Sequence, residues 1–156
     1  MTPLKDRKAQ VVYFSHGGGP LPILGDSGHK AMIDFMTALP ARLHRPDLIL
    51  VISAHWEEQV PTILGGENPP LYYDYYGFPE AAYKVTYPAP GSPKDARRIK
   101  EMLQGQGLIS TIDSERGFDH GVFIPLKMMY PLADIPCLQI SLIRGLDAKK
   151  HLELGA

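Results

Sequence analysis

Hydrophobic residues fall along this chain in two rhythms: short unbroken apolar runs, and stretches that repeat every three or four positions. "QVVYF" (10–14), "DLILVIS" (47–53), "LISTI" (108–112) and "CLQISLI" (137–143) have strand length and little polar alternation, which predicts strands covered on both faces. "GHKAMIDFMTALPARL" (28–43) sets Met32, Phe35, Met36 and Leu39 at helical spacing, with Pro40 placed to kink or end the helix. "SPKDARRIKEMLQGQG" (92–107) predicts a helix with Ser92 as N-cap, Pro93 in the first turn and Gly105 or Gly107 near its end. "GVFIPLKMMYP" (121–131) predicts a short helix between the last two strands. Strands alternating with helices predict an α/β fold: a mostly parallel central sheet flanked by helices, with a ligand crevice at the carboxyl ends of the strands.

The segment 65–91 follows neither rhythm. Within it, "PPLYYDYYGFPEAAYKVTYPAPG" carries six tyrosines and one phenylalanine among five prolines. It is too apolar for a disordered linker and reads as an ordered aromatic loop, either a cover over one core edge, a wall of an aromatic pocket, or a subunit contact. At the other end, "GLDAKKHLELGA" opens with Asp147 as N-cap and stops after barely two turns. Such a helix is marginal unless it packs, so residues 1–156 are expected to form a single α/β domain that is the N-terminal part of a longer one.

Composition narrows the function classes. Hydrophobic residues are 44%, charged residues 21% and the formal net charge is −1, so neither nucleic acid nor an anionic membrane is an expected partner. The N-terminus lacks a signal-peptide core and no run reaches membrane length. The single cysteine, Cys137, lies in an apolar run and reads as core packing in a reducing cytoplasm.

Candidate chemistry centres on histidine. His16 follows the run "VVYFS" and precedes three glycines; His55 follows "ILVISA". Placed after two strands of one sheet, both imidazoles should face one crevice, where they are either structural or half of a metal site. His120, in "ERGFDHGVFIPL", faces the crevice from a loop with Asp119 as N-cap, or belongs to an ordinary turn. His29, His44 and His151 read as surface residues of helices. An esterase reading of "HGGG" needs a G-x-S-x-G elbow, which "GDSGH" (25–29) does not supply, and a phosphate loop needs lysine and a hydroxyl where Pro20 and Leu21 stand.

Six motifs in order, "SHGGGP", "SAHWE", "YDYYGFP", "YPAPGSP", "GFDHGVFIPLKMMYPLADIP" and "QISL", strongly resemble the class III extradiol aromatic-ring-opening dioxygenases, in particular the group that includes DOPA 4,5-dioxygenase. The resemblance runs from about Val11 to Gly155. It implies that His16 and His55 bind the active-site metal and that His120 lies beside it or contacts substrate. It implies insertion of both atoms of O2 into a catechol-type ring at non-haem Fe(II), with Zn(II) as a possible occupant, and Tyr75, Tyr76 and Phe78 as walls of the substrate pocket. The family's third ligand and main acid/base histidine lie beyond the part matched; Glu57 has the chemistry of a ligand but does not correspond to the family's. Two outcomes are therefore expected to compete: a ring-cleaving dioxygenase, or a catalytically incomplete metal-binding or dimer-forming remnant. An exposed sheet edge predicts a homo-oligomer or a complementing chain.

Overall fold

The computed structural model describes residues 9–156. Its sheet comprises β1 (Ile49–Glu58), β2 (Thr62–Leu64), β3 (Thr111–Asp113) and β4 (Cys137–Ile143) in the order β1-β4-β2-β3. β1 is parallel to β4 and β2 to β3, whereas β2 and β4 are antiparallel. Around it pack α1 (Lys30–Ala38), α2 (Pro93–Gly105), α3 (His120–Met129) and α4 (Ala148–Gly155). This is the α/β architecture that the alternating rhythms predict.

Local chemistry explains the element ends. α1 gives way after Ala38 to a 3-10 turn, Leu39–Arg42, in which Pro40 has no N–H to return to the preceding turn. Ser92 caps α2, its Oγ accepting the Asp95 amide at 3.4 Å and donating to Asp95 Oδ2 at 2.6 Å. Asp147 caps α4 by accepting the Lys150 amide at 3.0 Å.

Two strand expectations are corrected, and one strand was not expected. Residues 10–14 form no strand: Val11 is 95% and Tyr13 100% exposed, and among the described residues β1 pairs only with β4. An apolar run becomes a strand only where a neighbour takes its hydrogen bonds, and this one is tied instead through Gln10, whose side chain bonds the backbone of His44 at 2.9 and 3.0 Å. In 108–112 the pairing begins only at Thr111. β2, from "TIL", was too short to register as a run, yet all three residues are buried.

Two apolar clusters lie on opposite faces of the sheet, since alternation along β4 sends Cys137 into one and Leu138 and Ile140 into the other. The larger is built on α3, whose Val122, Phe123 and Ile124 pack with Trp56, Leu64, Tyr75 and Phe118. The smaller joins Ile63, Ala96, Leu138 and Ile140. Cys137 belongs to the core: its thiol donates to the Ile135 carbonyl at 3.3 Å, and burial pushes its pKa up to about 12, far from a reactive thiolate. The tyrosine-rich segment is ordered over the larger cluster. Its Tyr73 and Tyr75 hydroxyls donate to the Val85 and Ala82 carbonyls, each at 2.6 Å. Among the described residues no helix is long and apolar enough to cross a membrane.

Candidate metal centre

Three imidazoles from three separate segments converge. His16 comes from the extended run before the glycine turn. His55 stands in β1 where its register with β4 breaks between Ile52 and Glu57; the irregularity re-aims the side chain, and its amide donates to Ser53 Oγ at 3.2 Å instead of to the ladder. His120 is the first residue of α3. A Cβ on Gly121 would lie 2.5 Å from Ser53 Oγ and 2.9 Å from His55 Cδ2, so only glycine lets the first turn of α3 lie flush on β1.

His16 Nε2 and His55 Nε2 are 2.9 Å apart. The ring centroids are separated by 4.9 Å (His16–His55 and His16–His120) and 4.0 Å (His55–His120). One donor nitrogen from each lies within 4.8 Å of the others, the spacing of a group able to hold a cation. Two facing nitrogens can share at most one proton, and His16 Nδ1 is buried with no hydrogen-bond partner among the described residues. The set fits a cation, which would satisfy both lone pairs at once.

Asp74 anchors the group from the tyrosine-rich loop. Its Oδ1 accepts both the His120 amide at 3.0 Å and His120 Nδ1–H at 2.8 Å, and its Oδ2 lies 4.0 Å from His55 Nδ1. The carboxylate thus fixes the proton on Nδ1 and leaves His120 Nε2 free. Burial pushes the Asp74 carboxyl up, but the hydrogen bonds from His120 outweigh it and hold it below its ordinary value. Beneath, Asp119 is wholly buried and accepts from Ser53 Oγ at 2.7 Å, from Gln139 Nε2 and from Arg116 Nη2 at 3.3 Å. Arg116 is sandwiched between Trp56 (4.6 Å) and Tyr72 (4.9 Å). One buried carboxylate therefore ties the start of α3 to β1 and β4.

His16 and His55 are both held below the ordinary imidazole pKa of 6.5, chiefly by burial and then by neighbouring imidazole, with Asp119 and Asp74 opposing. The shift favours the neutral form of both rings, the form in which an imidazole can bind a cation. The lowered values make the unfolded chain bind protons that the fold excludes, so the stabilisation is complete above the unfolded value and is lost as pH falls from 6.5 through the folded values. In metal-free protein the urea midpoint is expected to drop between pH 8 and pH 5, and to drop less when both histidines are alanine.

The pocket residues separate. Tyr75 is buried with its ring 5.8 Å from that of His120, and Phe78 packs on Tyr75 at 5.5 Å and against Gly19, where a Cβ would lie 3.1 Å from it. Tyr76 departs from expectation: it is 92% exposed, because neighbours in extended chain point oppositely and Tyr75 takes the inward place. Glu57 is exposed and outside the histidine group. His29 and His44 do not lie on a helix surface: His29 ends a 3-10 turn with a part-buried ring, and His44 precedes β1 in irregular chain. His151 does lie on α4, but its ring bonds the Ile143 amide at 3.0 Å. Sequence reasoning missed Asp74, whose signal was a lone acid inside an aromatic run.

The family described as the catalytic LigB subunit of aromatic ring-opening dioxygenase matches residues 13–156. Dioxygenase tasH of Hapsidospora irregularis is 44% identical over 155 residues, covering 94% of this chain and 48% of that protein. The 4,5-DOPA dioxygenase extradiol of Beta vulgaris is 40% identical, covering 97% and 56%, and that of Escherichia coli (strain K12) is 39% identical, covering 99% and 58%. The crystal structure of uncharacterized protein JW3007 from Escherichia coli K12 superposes with a TM-score of 0.56 at 38% identity, over 70% of this chain and 39% of that one. The chain spans about half the length of the curated relatives it matches. It belongs to the LigB family of aromatic ring-opening dioxygenases, within the class III extradiol, DOPA-dioxygenase-like group.

Proposed function

We propose that this chain is the metal-holding portion of an extradiol dioxygenase that opens a catechol-type ring with O2, with His16 and His55 as ligands of Fe(II). The observation that carries the reading is the convergence of neutral imidazoles at one point. Imidazole nitrogens would hold either Fe(II) or Zn(II), and the resemblance to the extradiol dioxygenases favours Fe(II). When bound, the ion supplies a Lewis-acidic, redox-active centre at which both catechol oxygens and O2 can be gathered.

The chain's own residues do the rest. His120, oriented by Asp74, offers Nε2 to take and return a catechol proton. Tyr75 and Phe78 wall the aromatic ring; the Tyr75 phenol is pushed up to about 12 by burial and is committed to Ala82, so it contributes an apolar face. The open edge of β1 exposes Leu50 and Ile52, which a second copy or a complementing chain would cover.

Anaerobic Fe(II) titration followed by oxygen uptake with a panel of catechols tests the reading. Stoichiometric iron with catechol-dependent uptake and a ring-opened product is the expected result. Iron bound without uptake would reduce the chain to an incomplete metal-binding remnant, and absence of iron binding would overturn the assignment of His16 and His55.

A further inference from the structure

Residues 25–29, "GDSGH", supply no nucleophile elbow, and the chemistry proposed above does not use them. Their geometry is nonetheless specific. His29 Nδ1 lies 2.6 Å from Asp26 Oδ2, and the Gly18 amide donates to His29 Nε2 at 3.2 Å. Both bonds are satisfied together only when the ring proton sits on Nδ1, which the carboxylate enforces because it can only accept. The imidazole is part-buried, with 22% of its side chain exposed, and lies flat on the glycine turn: a Cβ on Gly17 would fall 2.6 Å from His29 Cδ2 and 2.8 Å from Nε2. Gly28 is matched to the same device, since its Cβ would lie 3.0 Å from Asp26 Oδ2.

The segment that precedes His16 has no strand partner among the described residues, so the direction of His16 depends on what holds the turn after it. We propose that Asp26 and His29 form a positioning pair that clamps the Gly17–Gly18 backbone and thereby aims the His16 ring at His55. The functional meaning of that aim rests on the reading of His16 as a metal ligand. The clamp itself does not.

His29→Phe keeps the packing on Gly17 but removes the acceptor, whereas His29→Gln retains an acceptor for Gly18 and a donor for Asp26. In metal-free protein, amide exchange at Gly18 and the ring nitrogen signals of His16 are expected to change in the Phe variant and to be restored in the Gln variant. Asp26→Ala, which frees the tautomer, is expected to shift the same signals and serves if the Phe variant does not fold. In the Co(II)-loaded protein the Phe variant is expected to lose about tenfold or more in metal affinity, the Gln variant much less. Unchanged Gly18 exchange or unmoved His16 signals in the Phe variant would overturn the proposal, as would unchanged Co(II) affinity in a chain that binds the ion. Failure of the unmutated chain to bind Co(II) would overturn the ligand reading instead, and the metal-free signals would still decide the clamp.

Discussion

Replacing both His16 and His55 by alanine is expected to abolish Fe(II) binding and, with it, any catechol-dependent oxygen uptake, while the fold survives. The two Nε2 atoms are 2.9 Å apart, so both donors meet at one point. Loss of a single outer partner of a ligand lowers metal affinity by about 10–100-fold, so deleting two donors must exceed that range. Neither side chain belongs to the two apolar clusters, and His55 still has 32% of its side chain exposed. The cost in stability at neutral pH is therefore small, and below pH 6.5 the variant is expected to lose less stability than the parent, because two imidazoles that resist protonation have gone. Chelator competition and urea melts at pH 8 and pH 5 measure both halves. Affinity retained within about tenfold would place the ion elsewhere.

How much of this was legible in the sequence depends on where each property is stored. α2 was readable to its cap because Ser92, Pro93 and Gly105 act within a few residues of one another. β4 was readable because a buried central strand reads as a mostly apolar run. The run 10–14 is similarly apolar yet forms no strand, because pairing is a property of the neighbour, and β1 is not paired with it. His16, His55 and His120 were identified from their settings and from the resemblance, but their mutual distances arise from a register break in β1 and the close seating of Gly121, which no local pattern encodes. Asp74 and the Asp26–His29 pair escaped for the same reason: 46 residues separate Asp74 from His120, and "GDSGH" was weighed as a nucleophile motif instead of as a support for the turn eleven residues earlier.

The largest effect on stability is expected at Asp119. Asp119→Ala should destabilise the protein by about 3–5 kcal/mol, the cost of removing one partner of a buried ion pair and leaving the other uncompensated. The residue is completely buried, and its carboxylate is the shared acceptor for Ser53, Gln139 and Arg116. Removing it strands a hydroxyl, an amide and a guanidinium whose Nε already lacks a partner among the described residues. Asp119→Asn keeps the volume and one acceptor for Ser53, but turns an N–H toward donors on Gln139 or Arg116, so a smaller loss of about 1–3 kcal/mol is expected. Since a domain of this size has only about 5–15 kcal/mol in hand, the alanine variant should shift its urea midpoint far more than any surface change. The same substitution reaches the histidines, because Ser53 and Asp119 hold β1 to the first turn of α3, where His55 and His120 sit. In the asparagine variant, which should remain folded, metal affinity is therefore expected to fall along with stability. If stability falls and affinity does not, the carboxylate supports the core alone, and the spacing of His55 and His120 is set by the Gly121 contact and by Asp74.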